Sequence, residues 1–147
     1  MTSYISTALR KLVATRAQRL CEYCLIHEED TFFGCEVDHI ISEKHGGQTE
    51  SDNLAYACVF CNRSKGSDIG SIAQSTGLFL RFFNPRTDIW AEHFALDGVT
   101  IVALSDIGAV TTRILDLNNS ARLLERRTLQ AVGRYPSAAA ARMTRRS

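Results

Sequence analysis

Apolar and polar positions change period several times along the first half of the chain. Over residues 6–20, "STALRKLVATRAQRL", Leu9, Leu12, Val13 and Leu20 share one helical stripe, and Ser6 suits an N-cap, which predicts an amphipathic helix. Residues 34–41, "GCEVDHII", are short and rich in β-branched residues, which predicts a strand. Residues 42–52 are polar and hold Gly46-Gly47, so they predict a loop with a turn. "NLAYAC" predicts a second short strand. A short helix is expected from near Val59 until Gly66 stops it.

The pattern weakens after residue 67. "LFLRFFNPR" is an apolar segment closed by Asn84-Pro85. "DIWAEHFAL" and "VTIVAL" flank Asp97-Gly98, which suits a tight turn, and together predict a β-hairpin. Residues 106–117 and 119–134 predict two helices broken at the paired asparagines. The tail "PSAAAARMTRRS" has little apolar bulk, so residues 135–147 are expected to be disordered. No internal repeat is present.

Composition changes this picture little. A chain of 147 residues, 45% hydrophobic and 22% charged, is expected to form one soluble domain over residues 1–134. No apolar run approaches the length of a membrane span. The N-terminal stretch lacks a secretion-signal pattern, so a cytoplasmic location is expected.

Charge adds more. The formal net charge of +1 hides a segregation. Residues 1–20 carry Arg10, Lys11, Arg16 and Arg19 and no acid, whereas residues 113–147 carry eight arginines against Asp116 and Glu125. The middle, 21–112, holds five basic and fourteen acidic residues. Metal ions can offset part of that central negative charge, and basic flanks can meet a polyanion. From charge alone, two solvated amphipathic helices are the simpler explanation of those flanks.

The cysteines are more specific. Cys21 and Cys24 form one C-x-x-C pair and Cys58 and Cys61 a second. Four thiolates suit a structural zinc ion, which accepts sulfur and imposes tetrahedral geometry. Four buried thiols or two disulfides are the alternatives, and the missing secretion signal weighs against disulfides. Cys35, the odd one, reads as a small hydrophobe in the strand. A zinc ion joining the two pairs would close a loop that contains Asp38-His39 and ends beside Asn62, so these polar residues can converge.

In this order, "CEYC", "EVDHIISEKHGG", "SDNLAYAC" and "CNRSKG" resemble the HNH endonuclease family in its zinc-clamped form. The resemblance covers about residues 20–67. It implies an α+β fold, a ββα-metal unit with structural zinc, here followed by an accessory hairpin and helices over residues 78–134. It also implies a metal-dependent endonuclease that hydrolyses phosphodiester bonds, in DNA and less often RNA. Carried over by position, His39 is similar to the general base and Asp38 to the metal-binding acid. Asn53 resembles the asparagine that fixes the loop and the histidine. Asn62 stands where the family places its last metal ligand, histidine or asparagine, and the cation expected there is Mg2+ or Mn2+.

The chemistry is coherent on its own account. Phosphodiester hydrolysis needs an activated water and stabilisation of charge on the phosphorane oxygens. An imidazole exchanges a proton near neutral pH, and a carboxylate with an amide oxygen suits a hard cation. Arg63 and Lys65, next to Asn62, are candidates for flanking phosphates or for a solvated helix end. The competing reading is a non-cleaving, zinc-clamped nucleic-acid-binding module.

The remaining histidines read as structural. His27 sits among acids in a surface loop, His45 in a turn, and Trp90, His93 and Phe94 as core packing. These last three resemble a "W..HF" element that follows the nuclease unit in a group of small bacterial HNH proteins.

One basic feature lies outside the motif. On a helical wheel, Ala121, Leu124, Thr128, Ala131, Val132 and Tyr135 fall within an arc of roughly 100°. Arg122, Arg126, Arg127 and Arg134 fall opposite, over roughly 140°. The helix is therefore expected to dock by its apolar face and to turn its arginines, Arg122 and Arg126 among them, towards a phosphate backbone.

Overall fold

The computed structural model describes residues 4–145. Helix α1 spans Thr7–Arg16, and Ser6 caps it by accepting from the Leu9 amide at 3.1 Å. It ends four residues earlier than expected because Gln18 and Arg19 take left-handed backbone angles, which turn Leu20 into the core. Val13 and Ala14 of α1 are buried against Leu54 and Tyr56. Arg16 fixes this contact by donating to the carbonyls of Ser51 at 2.6 Å and Leu54 at 2.7 Å.

Strands β1, Cys35–His39, and β2, Leu54–Cys58, form an antiparallel pair in which Asp38 faces Ala55 and His39 faces Leu54. The loop between them passes through Gly47, where a Cβ would lie 1.7 Å from the Ile41 carbonyl oxygen, so only glycine fits. Helix α2, Val59–Lys65, leaves β2 directly and is stopped at Gly66, as expected. Each of these elements follows from local pattern.

The second half departs more from expectation. A hairpin of β3, Gly70–Ile72, and β4, Phe79–Arg81, has no counterpart in the sequence reading. Trp90–His93 forms a short helix, α3, and only β5, Phe94–Asp97, pairs with β6, Thr100–Ala103, across the Gly98 turn. The helical turn lets Trp90 sink into the core while its Nε1 donates to the Tyr23 carbonyl at 3.0 Å. Helices α4, Asp106–Ile114, and α5, Ser120–Ala131, are separated by a break at Asp116, which has positive φ.

The tail is corrected as well. Residues 135–145 are ordered here, with helix α6 over Ala138–Met143 capped by Ser137. Tyr135 is buried and donates from its hydroxyl to the Cys24 carbonyl at 2.8 Å, and Ala140 is fully buried beside the core. One aromatic anchor and a run of small residues dock what composition alone left loose. Residues 146 and 147, the end of the expected tail, and residues 1–3 lie outside the described residues. The expected α+β class holds, with three two-stranded antiparallel sheets and six α-helices among the described residues.

Candidate metal centre and nuclease site

Cys21 and Cys24 sit in a tight turn where the Leu25 amide donates to the Cys21 carbonyl at 2.9 Å. Cys58 ends β2, and Cys61 lies in the first turn of α2. All four are buried and unpaired by disulfides, and their sulfurs lie within 4.8 Å of one another. Cys24 Sγ and Cys58 Sγ are 3.8 Å apart. A tetrahedral zinc with sulfurs at about 2.3 Å requires sulfur–sulfur edges of about 3.8 Å, so this donor set fits zinc. The amides of Cys24 and Cys61 each point at the first sulfur of their own pair, at 3.5 Å. The four cysteines form a zinc-binding cluster, as the spacing predicted.

This cluster ties the Cys21–Cys24 turn to the junction of β2 and α2, and α2 packs beside β1. Asp38 and Glu36 share one face of β1 because strand side chains alternate, and Asn62 and Lys65, three apart on α2, share the facing side. Asn62 Nδ2 donates to Glu36 Oε1 at 3.1 Å. A carboxylate only accepts, so the Asn62 amide oxygen is turned away from Glu36 and is available to another partner. Lys65 is 1% exposed; its ammonium forms an ion pair with Asp38 Oδ2 at 2.9 Å and donates to the His39 carbonyl at 2.9 Å. Burial raises the Asp38 carboxyl above its usual range, and the Lys65 charge opposes that shift. The expectation that Lys65 touches flanking phosphates is therefore corrected, since its charge is spent inside the protein.

His39 closes β1. Its Nε2 lies 2.9 Å from Thr49 Oγ1 and 3.5 Å from Glu43 Oε1. Asn53 fixes the intervening loop: Oδ1 accepts from the Ile41 amide, and Nδ2 donates to the carbonyls of Ile41 and Gln48, all at 2.9 Å. Asp38 and His39 together line an open depression of about 290 Å³ with Ser42, Glu43 and Gly66. Arg63 does not face it. That exposed arginine lines a separate, larger groove of about 580 Å³ between α2 and α5. Glu36 and Thr49 were absent from the sequence-based site, although the period of β1 places Glu36 beside Asp38.

The other histidines are structural in geometry. His27 Nδ1 accepts from the Glu29 amide at 3.1 Å, and His45 is exposed in a short turn. His93 Nδ1 meets Ser105 Oγ at 2.6 Å and packs edge-on against Phe83.

Two arginines of α5 reverse the helical-wheel expectation, whereas Arg127 and Arg134 are exposed as it predicted. Arg122 and Arg126 are buried, whereas Leu124 and Val132 of the apolar arc are 60% and 68% exposed. Arg122 donates to Cys58 Sγ at 3.3 Å and Cys24 Sγ at 3.0 Å, and Arg126 to the Val99 carbonyl and Asn118 Oδ1. Anionic sulfurs and orphan carbonyls in the interior attract the guanidiniums more strongly than the apolar stripe is driven inward. Neither arginine faces solvent for a phosphate contact.

A zinc-pinned β-hairpin leading into a helix, with Asp-His on its first strand, defines a ββα-metal architecture. Residues 21–68 match the family model for HNH endonucleases, and the cysteine cluster fits the zinc-clamped form of that motif. No curated protein and no solved structure matches the chain. At the level of the family the segment is nuclease-type and implies a nucleic-acid substrate. No helix among the described residues is long and apolar enough to cross a membrane.

Proposed function

We propose that the chain is an endonuclease that hydrolyses phosphodiester bonds in DNA, with His39 as general base and one Mg2+ or Mn2+ ion at Asp38 and Asn62. The observation that carries this reading is the surroundings of His39. Its Nε2 is held by Thr49 with the Glu43 carboxylate at 3.5 Å, which favours the proton on Nε2 and leaves Nδ1 to take one from water. The donor set beside it, a carboxylate and an amide oxygen on facing elements, is of the hard oxygen type that magnesium and manganese accept. When bound, such a cation would neutralise charge on the phosphate oxygens. Asp38 and Asn62 would hold that cation, while Lys65 stays paired with Asp38 and Glu36 keeps the Asn62 amide from rotating. Asn53 keeps the His39 loop shut against β2.

Substrate contacts are assigned differently from the sequence reading. Arg10 and Lys11 of α1 are exposed and line a groove of about 320 Å³ beside Glu36 and Val37 of β1. Their charges lie beside β1, the strand that carries Asp38 and His39, and they suit a phosphate backbone.

A second reading has its own support. The Lys65 ammonium already compensates Asp38, as it would in a non-cleaving nucleic-acid-binding module. Incubating plasmid with the full chain and Mg2+ or Mn2+ separates the two. Cleavage should appear and fall about 10²–10⁴-fold in His39→Ala, with zinc content and Tm close to parental. A variant that cuts as fast as the parent removes His39 as the base, and a parent that binds without cutting selects the second reading.

A further inference from the structure

Arg122 lies on α5, far outside residues 21–68, and the nuclease reading makes no use of it. Its side chain is nonetheless built into the cysteine cluster. Nη1 donates to Cys58 Sγ at 3.3 Å and Nη2 to Cys24 Sγ at 3.0 Å. The Phe60 ring lies 5.0 Å from the guanidinium carbon, and Glu125 Oε1 is 3.3 Å from Nε. The two sulfurs come from different C-x-x-C pairs, so the planar fork spans the seam that zinc closes.

Four thiolates carry two more negative charges than one zinc ion offsets, and such an excess is costly in a site without water. A guanidinium stays protonated and presents two parallel N–H groups, which is suited to two neighbouring anionic atoms. Groups that hydrogen-bond metal ligands orient them and tune the metal. We propose that Arg122 is a working part of the zinc site, setting zinc affinity by orienting and partly neutralising Cys24 and Cys58. Docking of α5 and retention of zinc are then one event. This holds whether or not the chain cuts nucleic acid.

Arg126 supplies an internal comparison. It is fully buried one turn further along α5, but its Nε donates to the Val99 carbonyl at 2.8 Å and its Nη2 to Asn118 Oδ1 at 2.9 Å, not to sulfur. Zinc affinity of the full chain is measured by competition with a chromogenic chelator at one pH, for Arg122→Met, Arg122→Lys and Arg126→Met, each checked as folded by circular dichroism. Arg122→Met should weaken zinc about 10–100-fold and shift the sulfur-to-metal absorption of the cobalt-substituted protein. Arg122→Lys keeps the charge but not the fork, and should fall between parent and methionine variant. Arg126→Met should lower Tm while holding zinc within about twofold of the parent. Parental zinc affinity in both Arg122 variants overturns the proposal, and so does an equal loss in Arg126→Met. If Arg122→Met does not fold, the comparison of Arg122→Lys with Arg126→Met decides, with parental affinity in the lysine variant counting against.

Discussion

Replacing Lys65 by methionine tests whether a lysine inside the nuclease motif serves the fold or the substrate. The side chain is 1% exposed, and its ammonium reaches Asp38 Oδ2 and the His39 carbonyl, both at 2.9 Å. Methionine keeps most of the volume but leaves the Asp38 carboxylate, 12% exposed, without its counter-charge. Breaking a buried ion pair from one side costs about 3–5 kcal/mol. Because Asp38 retains some contact with water, the lower end, about 3 kcal/mol, is the expected loss. That is a large share of the roughly 5–15 kcal/mol that stabilises an ordinary domain. Asp38→Asn should cost a similar amount, since it strands the ammonium instead.

The double variant makes the test sharp. With both charges gone, neither partner is left uncompensated, so the two losses should fall short of additivity by on the order of 2 kcal/mol. Urea unfolding with zinc in excess supplies the midpoints and slopes for all four proteins. A loss below about 1 kcal/mol in Lys65→Met, or additivity within about 0.5 kcal/mol, would refute the clamp. Under the alternative, a phosphate contact, Lys65→Met would weaken nucleic-acid binding and leave the urea midpoint unchanged.

Two further outcomes follow from the same geometry. Strong chelation should unfold the domain and not merely silence it, because a structural zinc contributes on the order of 10 kcal/mol, comparable to the whole net stability; a metal-free sample with native circular dichroism and parental Tm would contradict this. Changing Arg10 and Lys11 together to glutamine should flatten the slope of log affinity against log salt by nearly two, about 0.9 for each phosphate that is no longer neutralised on duplex DNA; an unchanged slope in the folded variant returns both residues to solvated surface.

What was legible in the sequence was what is local or carried by a spaced motif. The C-x-x-C turns, the strand through Asp38-His39 and the stop at Gly66 each depend on a few neighbouring residues, and the structure has all three. Arg122 and Arg126 were misread because a hydropathy wheel has no knowledge of acceptors elsewhere in the chain. Arg122 finds its sulfurs 64 and 98 residues away, and Lys65 finds the His39 carbonyl 26 residues away. Buried cations of this kind are invisible to periodicity and become rational only once the thiolates and the carboxylate are placed. The docked tail escaped for the same reason, since the acceptor for Tyr135 lies 111 residues upstream.

These distant partners converge on one short segment. Glu22 pairs with Arg86, and its other oxygen accepts from the Tyr56 amide at 2.9 Å. The Tyr23 carbonyl accepts from Trp90, the Cys24 carbonyl from Tyr135, and the Cys24 sulfur from Arg122. Four residues of the second half thus satisfy polar atoms of residues 22–24, within the Cys21–Cys24 turn that supplies half of the zinc ligands. Buried polar groups left without partners cost about 1–3 kcal/mol each, so the turn has its full stability only when those four residues are in place. The segment that matches the family holds the four cysteines and the proposed nuclease site, and the rest of the chain satisfies the polar atoms of the turn that carries Cys21 and Cys24.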